Sequence, residues 1–233
     1  FLNITLTNQF IANFFNTHKN EPKPQKNLFL IEFSSPNTNK PLHLGHIRNI
    51  LLGDSISRIF KYSGDEVHQT QIINDRGIHI CKSMVAWLRY GNNSSPQTDS
   101  IKGDHYVGKY YVKYNQQFEI EVKEIINNGL SEDEAKKSAS IFIEAQDMLL
   151  KWESSDKEVL ELWNKLNSWV YKGFNETYKS LSVDFDSLYY ESQTYLTGKK
   201  IVEQGLEKNI FFKKKDGSIW VDLSEQGLDQ KIL

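Results

Sequence analysis

Apolar positions in the first hundred residues switch between two spacings, one typical of strands and one typical of helices. Residues 28–33 form a short apolar run with the length of a buried strand, and residues 44–62 carry apolar side chains at helical spacing. Residues 67–73 alternate between apolar and polar as a second strand would, and helical spacing returns over 78–89. This order predicts an α/β fold with a parallel β-α-β unit, whose ligand site lies at the carboxyl ends of the strands.

The pattern then becomes helical, and three long helices are expected over residues 101–181. Ser131 with Glu134, and Ser155 with Glu158, have the spacing of capping boxes that open the second and third of these helices. Aromatic residues recur along all three at spacings of three and four. Such stripes are compatible with a stacking platform for nucleic acid or with the packed faces of a helical insertion, and we favour the packed faces.

The two ends of the chain predict a lead-in and a return to mixed structure. Two prolines in residues 21–24 predict an extended connector, and Asp216 and Gly217 between apolar runs predict a β-hairpin. The sequence starts without methionine and ends without a recognisable stop signal, so we expect it to be a piece of a longer protein.

Composition limits the classes of protein to which the chain can belong. Its 233 residues are 39% hydrophobic and 25% charged, which is ordinary globular usage and excludes a disordered protein. Lys and Arg (28) nearly balance Asp and Glu (30), so a nucleic-acid partner would need a local basic surface. The single cysteine, Cys81, cannot form an internal disulfide, and no apolar stretch approaches the roughly 18 residues of a membrane span. We therefore expect a cytoplasmic protein with no membrane partner.

The residues with the clearest chemistry lie where the first predicted strand leads into a helix. His43 and His46 are three residues apart with Gly45 between them, so their imidazoles lie beside the free backbone N–H groups of a helix start. Gly45 leaves room for a ribose or purine to approach the backbone. Lys40 and Arg48 add positive charge on either side. The pattern predicts a site for nucleotide phosphates.

Two other interpretations of the histidine pair stay open. A zinc site would need His68, His79 or Cys81 beside the pair, but an i, i+3 pair across a strand-to-helix turn is poor ligand geometry. No metal site is therefore predicted. Alternatively, the two histidines serve only to cap the helix.

Residues 32–38 (EFSSPNT) and 40–48 (KPLHLGHIR) resemble the signature region of arginyl-tRNA synthetases, which are class I aminoacyl-tRNA synthetases, with 43–46 as the HIGH motif. The similarity continues through 74–77 (NDRG) and returns at 191–192. HxGH alone is a weak signal because small nucleotidyltransferases share it, but the surrounding residues make it specific. The resemblance implies an α/β fold, the class I synthetase Rossmann-like parallel sheet (here its first half), with an inserted helical region.

The resemblance also implies which residues bind ATP and catalyse the reaction. His43 and His46 would engage the ATP phosphates and stabilise the transition state, with Gly45 beside the nucleotide. No Lys-Met-Ser-Lys-Ser-like sequence occurs in the chain, and Lys40 would take the catalytic role of the missing lysine. ATP would act together with Mg²⁺, and no tightly bound metal is expected.

An arginine pocket of five residues follows from the same resemblance. Ser35 and Asn37 would hold the α-amino and α-carboxyl groups of the amino acid. Glu32, Asp75 and Glu191 would lie around the arginine side chain, because a carboxylate can pair with a guanidinium through two parallel hydrogen bonds.

Several parts of the family pattern are absent. Arg76 stands where the family usually has tryptophan, and there is no match to the Tyr and Asp that complete the arginine pocket, to the anticodon-binding bundle or to the amino-terminal tRNA-elbow domain. We expect such a fragment to be inactive alone. The implied organisation is a lead-in from a missing N-terminal domain (1–24), the first half of the HIGH-motif nucleotide-binding catalytic domain (25–100), a helical insertion (101–181) and a return to the catalytic domain with a terminal hairpin (182–233).

For the full-length parent, the resemblance implies ATP-dependent activation of L-arginine to arginyl-adenylate and transfer to tRNA-Arg, a step of protein biosynthesis. It also implies that activation waits for bound tRNA. The sequence does not define an oligomeric state, and a monomeric parent is expected. Three alternatives stay open: an HxGH-type nucleotidyltransferase, a non-catalytic synthetase-like module that binds a nucleotide or RNA, and a class I synthetase for another amino acid. Glu32, Asn37 and Glu191 favour a cationic amino acid.

Overall fold

The computed structural model of the chain describes residues 5–17, 27–215 and 217–232. Its main sheet has three strands in the order β1 (Leu28–Glu32), β2 (Glu66–Ile73) and β3 (Ser187–Tyr190). β2 pairs in parallel with both of its neighbours. The two predicted strands and their parallel pairing are confirmed, and the connector predicted at 21–24 lies outside the described residues.

Helices fill the connections between these strands in the described part of the chain. The crossover from β1 to β2 is a single helix with the predicted bounds, and the chain between β2 and β3 is almost entirely helical. None of the described helices is long and apolar enough to span a membrane. The helices are α1 (Asn8–Thr17), α2 (Leu44–Tyr62), α3 (Ile78–Tyr90), α4 (Pro96–Asp99), α5 (Gly103–Asn127), α6 (Glu132–Ser138), α7 (Ser140–Glu153), α8 (Lys157–Leu181) and α9 (Glu191–Glu207).

A small antiparallel sheet follows α9. Its strands are β4 (Phe211–Lys213), β5 (Ile219–Val221) and β6 (Lys231–Ile232), with β5 in the centre. The hairpin predicted around Gly217 is confirmed by the pairing of β4 with β5, although Asp216 itself lies outside the described residues. Gly217 has a φ of 88°, the left-handed conformation that glycine adopts without strain.

One hydrophobic core joins the sheet to the helical region. Phe33 after β1 and Ile50 of α2 belong to the same buried cluster as residues of α5 and α8. The aromatic stripes therefore form packed faces, and the stacking-platform alternative is not needed to explain them. The fully buried residues on these faces, aromatic and aliphatic, include Tyr106, Val107, Tyr114, Leu166, Val170 and Phe174.

Two helix boundaries differ from the sequence-based predictions. The capping box of Ser131 and Glu134 opens α6 as predicted. The capping box predicted from Ser155 and Glu158 was wrong, because α8 is capped by Asp156, whose side chain accepts the Val159 N–H. The helix predicted to run on from Ser131 is broken before α7. The reason is tertiary, because Glu121 of α5 accepts hydrogen bonds from the Ile141 N–H (2.9 Å) and the Ser140 hydroxyl (3.1 Å) and so caps a new helix start.

The sheet carries apolar side chains on both faces. Phe29 stacks on Phe60 of α2 at a centroid distance of 4.2 Å on the covered face. On the other face, Leu28, Leu30 and Tyr189 are 67%, 70% and 47% exposed among the described residues. Strands of parallel sheets are apolar on both faces because helices usually cover both. The described chain covers only one of them.

Helices α5 and α8 approach each other closely at two glycines. A Cβ on Gly103 would overlap the carbonyl oxygen of Trp169, and a Cβ on Gly173 would overlap the carboxylate of Asp104. Glycine is required at both positions because the backbones pass too near for any side chain. This contact fixes the start of α5 against α8.

Replacing Gly103 with alanine is expected to lower the free energy of unfolding by about 1–3 kcal/mol, because the new methyl group meets a backbone carbonyl that cannot rotate away. Urea unfolding followed by tryptophan fluorescence measures the change. Gly198→Ala is the matched control, since the same methyl is added to α9 where no atom lies within 4 Å, and helix propensity should raise stability by up to about 1 kcal/mol. Equal stability of the two variants would contradict the close approach.

Candidate active site

The candidate site lies at the carboxyl ends of β1 and β2, as predicted. Beyond the strands, Asn37 and Asn74 form an isolated parallel bridge, supported by hydrogen bonds from the Thr38 N–H to the Asn74 carbonyl and from the Asn74 N–H to the Pro36 carbonyl, both 3.0 Å. This bridge holds the two loops side by side. They border a cavity of about 350 Å³, whose lining includes Asn37, Lys40, Arg76, Gly77, His79 and Glu191.

The loop after β1 leaves the strand through a turn of unusual backbone conformation. Ser34 and Ser35 have φ values of 69° and 39°, a region that costs energy for residues other than glycine. Hydrogen bonds from other elements hold this turn: the Ser34 N–H donates to Asn49 Oδ1, and the Ser34 hydroxyl lies 2.7 Å from the Tyr178 hydroxyl. Asn37, which lines the cavity, follows this turn.

His43 and His46 form a reciprocal capping box at the start of α2. The Gly45 N–H donates to His43 Nδ1 at 3.1 Å, and the His43 N–H donates to His46 Nδ1 at 3.2 Å. The two rings lie 4.0 Å apart between centroids. Because each Nδ1 accepts a hydrogen bond, each neutral imidazole carries its own proton on Nε2. Both Nε2–H groups are therefore left to donate to an anion at the helix start.

Gly45 has a structural role besides the one that the sequence indicated. A Cβ at this position would lie 2.9 Å from Cε1 of the His43 ring. The absence of a side chain makes room for the capping imidazole, and room for a nucleotide remains a prediction. Gly45 thus belongs to the machinery that orients His43.

The pKa of His46 lies below its ordinary value of 6.5. The main cause is partial burial; a positive charge on His43, when it is protonated, lowers it further, and so does the ammonium of Lys40. Lys40 also lines the cavity, and its ammonium lies 5.9 Å from the centre of the Tyr111 ring. The charge of Lys40 therefore acts on both the cavity and His46.

Glu32 and Ser35 are brought together, but neither lines the cavity. The Ser35 hydroxyl donates to Glu32 Oε1 at 2.8 Å and accepts the Ile72 N–H at 3.1 Å. Glu32 is exposed at the end of β1. Of the predicted arginine pocket, the structure places Asn37 and Glu191 at one cavity and the Glu32–Ser35 pair beside β2.

Asp75 is buried, with 1% of its surface exposed. Its Oδ1 accepts the Ser192 N–H at 2.8 Å, and its Oδ2 accepts the hydroxyls of Ser192 at 2.7 Å and of Tyr171 at 2.9 Å. Burial, and then the negative charge of Asp75, raise the pKa of Tyr171, which keeps its hydroxyl a donor. The predicted contact of Asp75 with arginine is untested, and the carboxylate described here is already occupied by protein groups.

Arg76 takes part in a stack of its own where the resembling family usually has tryptophan. Its guanidinium lies 4.0 Å from the centre of the Tyr195 ring and 5.5 Å from that of Trp152. It also pairs with Glu153 at 3.5 Å. A planar cation can stack on aromatic rings as a tryptophan can. The substitution therefore keeps a flat group at this place.

Two further residues that support the site were missed from the sequence. Asp104, which is fully buried at the start of α5, accepts the Leu42 N–H at 3.2 Å and so holds the residue before His43. Tyr178 of α8 bonds to Ser34 and to Gln71 Oε1 (2.9 Å), joining the ends of β1 and β2. Both contacts span more than 60 residues, so no local pattern could have revealed them.

The potential metal ligands among the described residues do not form a cluster. No group of three or more His, Cys, Asp or Glu side chains there could hold a metal ion. His68 Nε2 lies 2.9 Å from the Ser187 hydroxyl and His79 Nδ1 lies 3.0 Å from the Tyr111 hydroxyl, so both have protein partners. The zinc-site alternative receives no support from this geometry.

Comparison with known proteins identifies the family. Residues 9–232 match the family model described as tRNA synthetases class I (R), catalytic domain. The chain is 53% identical over its whole length to the arginine–tRNA ligase of Flavobacterium psychrophilum and 50% identical to that of Parabacteroides distasonis. It covers 40% of each of these two proteins. The chain therefore spans about two fifths of the length of these curated relatives.

Solved structures agree on the fold. The Thermus thermophilus arginyl-tRNA synthetase aligns with 93% of this chain and 34% of its own, with a TM-score of 0.61 and 24% identity. The Plasmodium falciparum arginyl-tRNA synthetase aligns with 92% of this chain and 32% of its own, with a TM-score of 0.60 and 20% identity. The predicted fold class is confirmed. Since the family model covers nearly the whole chain and half or more of the residues are identical to those two ligases, the chain belongs to the family of class I tRNA synthetase (R) catalytic domains.

Proposed function

We propose that this chain is the ATP-binding part of an arginine–tRNA ligase. The full-length protein would use ATP to convert L-arginine to arginyl-adenylate and would transfer the arginyl group to tRNA-Arg. The observation that carries the proposal is the His43–His46 capping box, which leaves two Nε2–H donors at the start of α2. The N-cap of this helix, His43, follows Lys40, which lines the cavity of Asn37 and Glu191, by three residues. The chain without the remainder of such a protein would be inactive, because no signature lysine loop occurs in it.

In the first step, the arginine carboxylate would attack the α-phosphorus of ATP, forming a P–O bond as the bond to pyrophosphate breaks. His43 and His46 would donate from Nε2 to the phosphate oxygens where negative charge grows, and Lys40 would add charge from the cavity side. Mg²⁺ would enter with ATP, bound mainly by phosphate oxygens and water. The acceleration would come from positioning and electrostatics without a covalent enzyme intermediate.

Arginine would occupy the cavity between the two strand ends. Glu191 would face the guanidinium, which it can pair with through two hydrogen bonds, and Asn37 would hold the α-groups. Glu32 and Ser35 would join this pocket from the end of β1, with Ser35 already oriented by Glu32 and the Ile72 N–H. This arrangement would favour arginine over lysine, because lysine cannot form the planar pair of bonds.

The alternatives are not favoured. A stand-alone nucleotidyltransferase or a non-catalytic nucleotide- or RNA-binding module would not be expected to keep 53% identity to an arginine–tRNA ligase across the whole chain. A cytoplasmic location and a monomeric full-length protein stay predictions. The second substrate, tRNA-Arg, would enter the site as the acceptor of the arginyl group.

Replacing both His43 and His46 with alanine in the full-length protein is expected to lower arginine-dependent ATP–pyrophosphate exchange, measured with tRNA present, by about 100-fold or more, because two donors to the transition state are lost. His105→Ala is the control, since it removes an exposed histidine from α5. Exchange at the unmodified rate in the double variant, with an unchanged thermal midpoint, would contradict the proposed role of the pair.

The protonation state of His46 gives a second test. Protonation of Nδ1 would break its bond from the His43 N–H, so the site needs neutral His46, which its lowered pKa provides at neutral pH. Lys40→Met leaves the capping box intact and removes a positive neighbour, so the pKa of His46 should rise towards 6.5. NMR of protein with ¹³C-labelled histidine measures it, with His105→Ala as control. A pKa that stays in place or falls in Lys40→Met would count against the charge coupling.

A further inference from the structure

The start of α9 is held by the loop that follows β2, and this loop contains Asp75. Tyr190, the residue before α9, provides no side-chain cap to the helix. Asp75 supplies the cap from another element, since its two carboxylate oxygens accept the N–H and the hydroxyl of Ser192. A negative charge at a helix start is also favoured by the helix dipole. The position of the first turn of α9 therefore depends on Asp75.

The cap is itself fixed from two sides. The Asp75 carbonyl accepts the indole N–H of Trp163 at 2.6 Å and the Asn167 amide at 3.3 Å, which ties the loop to α8. The next residue, Arg76, stacks on Tyr195 one turn further along α9. Two consecutive loop residues thus hold two consecutive turns of α9.

We propose that Asp75 is a positioning residue that sets the place of Glu191, and through it the recognition of the arginine guanidinium. Glu191 is the residue directly before Ser192 and lines the cavity. Asp75 does not line it and is 1% exposed, so it acts without touching the substrate. This inference rests on the proposed function, because it takes arginine as the ligand of the cavity.

The consequence is a selective effect on arginine. A carboxylate recognises a guanidinium through two bonds of fixed geometry, so a small displacement of Glu191 weakens both. The proposed ATP-binding residues, His43 and His46, lie at the start of α2. Their hydrogen bonds do not involve Asp75. Loss of the cap should therefore raise the KM for arginine and leave the KM for ATP nearly unchanged.

The experiment compares variants of the full-length protein by ATP–pyrophosphate exchange with tRNA present. Asp75→Asn is expected to raise the KM for arginine about tenfold and to change the KM for ATP by less than about twofold. Two milder variants form a matched pair, because each removes one hydroxyl group that donates a hydrogen bond to the same atom, Asp75 Oδ2. Ser192→Ala, on α9, should raise the KM for arginine. Tyr171→Phe, on α8, should lower thermal stability and leave the KM for arginine unchanged.

A double-mutant cycle with Glu191→Gln separates positioning from direct contact. If Asp75 acts through Glu191, Asp75→Asn has little further effect on the KM for arginine once Glu191 is replaced. An undiminished effect in the Glu191→Gln background overturns the proposal, and so does an equal rise in KM for Ser192→Ala and Tyr171→Phe. Absence of arginine-dependent exchange in the unmodified protein overturns the proposed function itself, so the two failures are distinguishable.

Discussion

The parallel pairing of β1 with β2 is the constraint on which the rest of the site depends. Parallel strands need a crossover, and α2 supplies it, so the start of α2 must lie at the carboxyl end of β1. The Asn37–Asn74 bridge continues the pairing beyond the strands and brings the two following loops together. His43, most of the cavity lining and Asp75, which caps α9, lie on these two loops. A change of register between β1 and β2 would separate them.

Buried polar groups then connect this junction to the helical region. Asp104 holds the residue before His43, Tyr178 joins the two strand ends, and Asp75 joins β2 to α8 and α9. Burying such groups costs free energy unless they are hydrogen-bonded, and a bonded network favours one arrangement over near alternatives. Residues 101–181 therefore support the site through specific bonds as well as through the shared hydrophobic core.

Local patterns predicted the elements whose causes are local. The bounds of β1, α2, β2 and α3 follow from periodicity, and the Ser131 cap follows from its own sequence. The break before α7 could not be predicted, because its cause is Glu121 on another helix. The same limit applies to Asp75: the resemblance pointed to the residue, but burial and a bond to Ser192 across 117 positions are visible only in the fold.

The histidine pair explains why a capping role and a role in phosphate binding are compatible. Asp would cap α2 as well through a carboxylate oxygen, but it would present no donor to an anion beyond the helix. Imidazole accepts the backbone N–H on one nitrogen and keeps a proton on the other, so capping also fixes which nitrogen carries the proton. Gly45 contributes to the same arrangement, because a side chain at this position would come too close to the His43 ring. The HxGH spacing therefore expresses one geometric requirement, two oriented Nε2–H groups at a helix start.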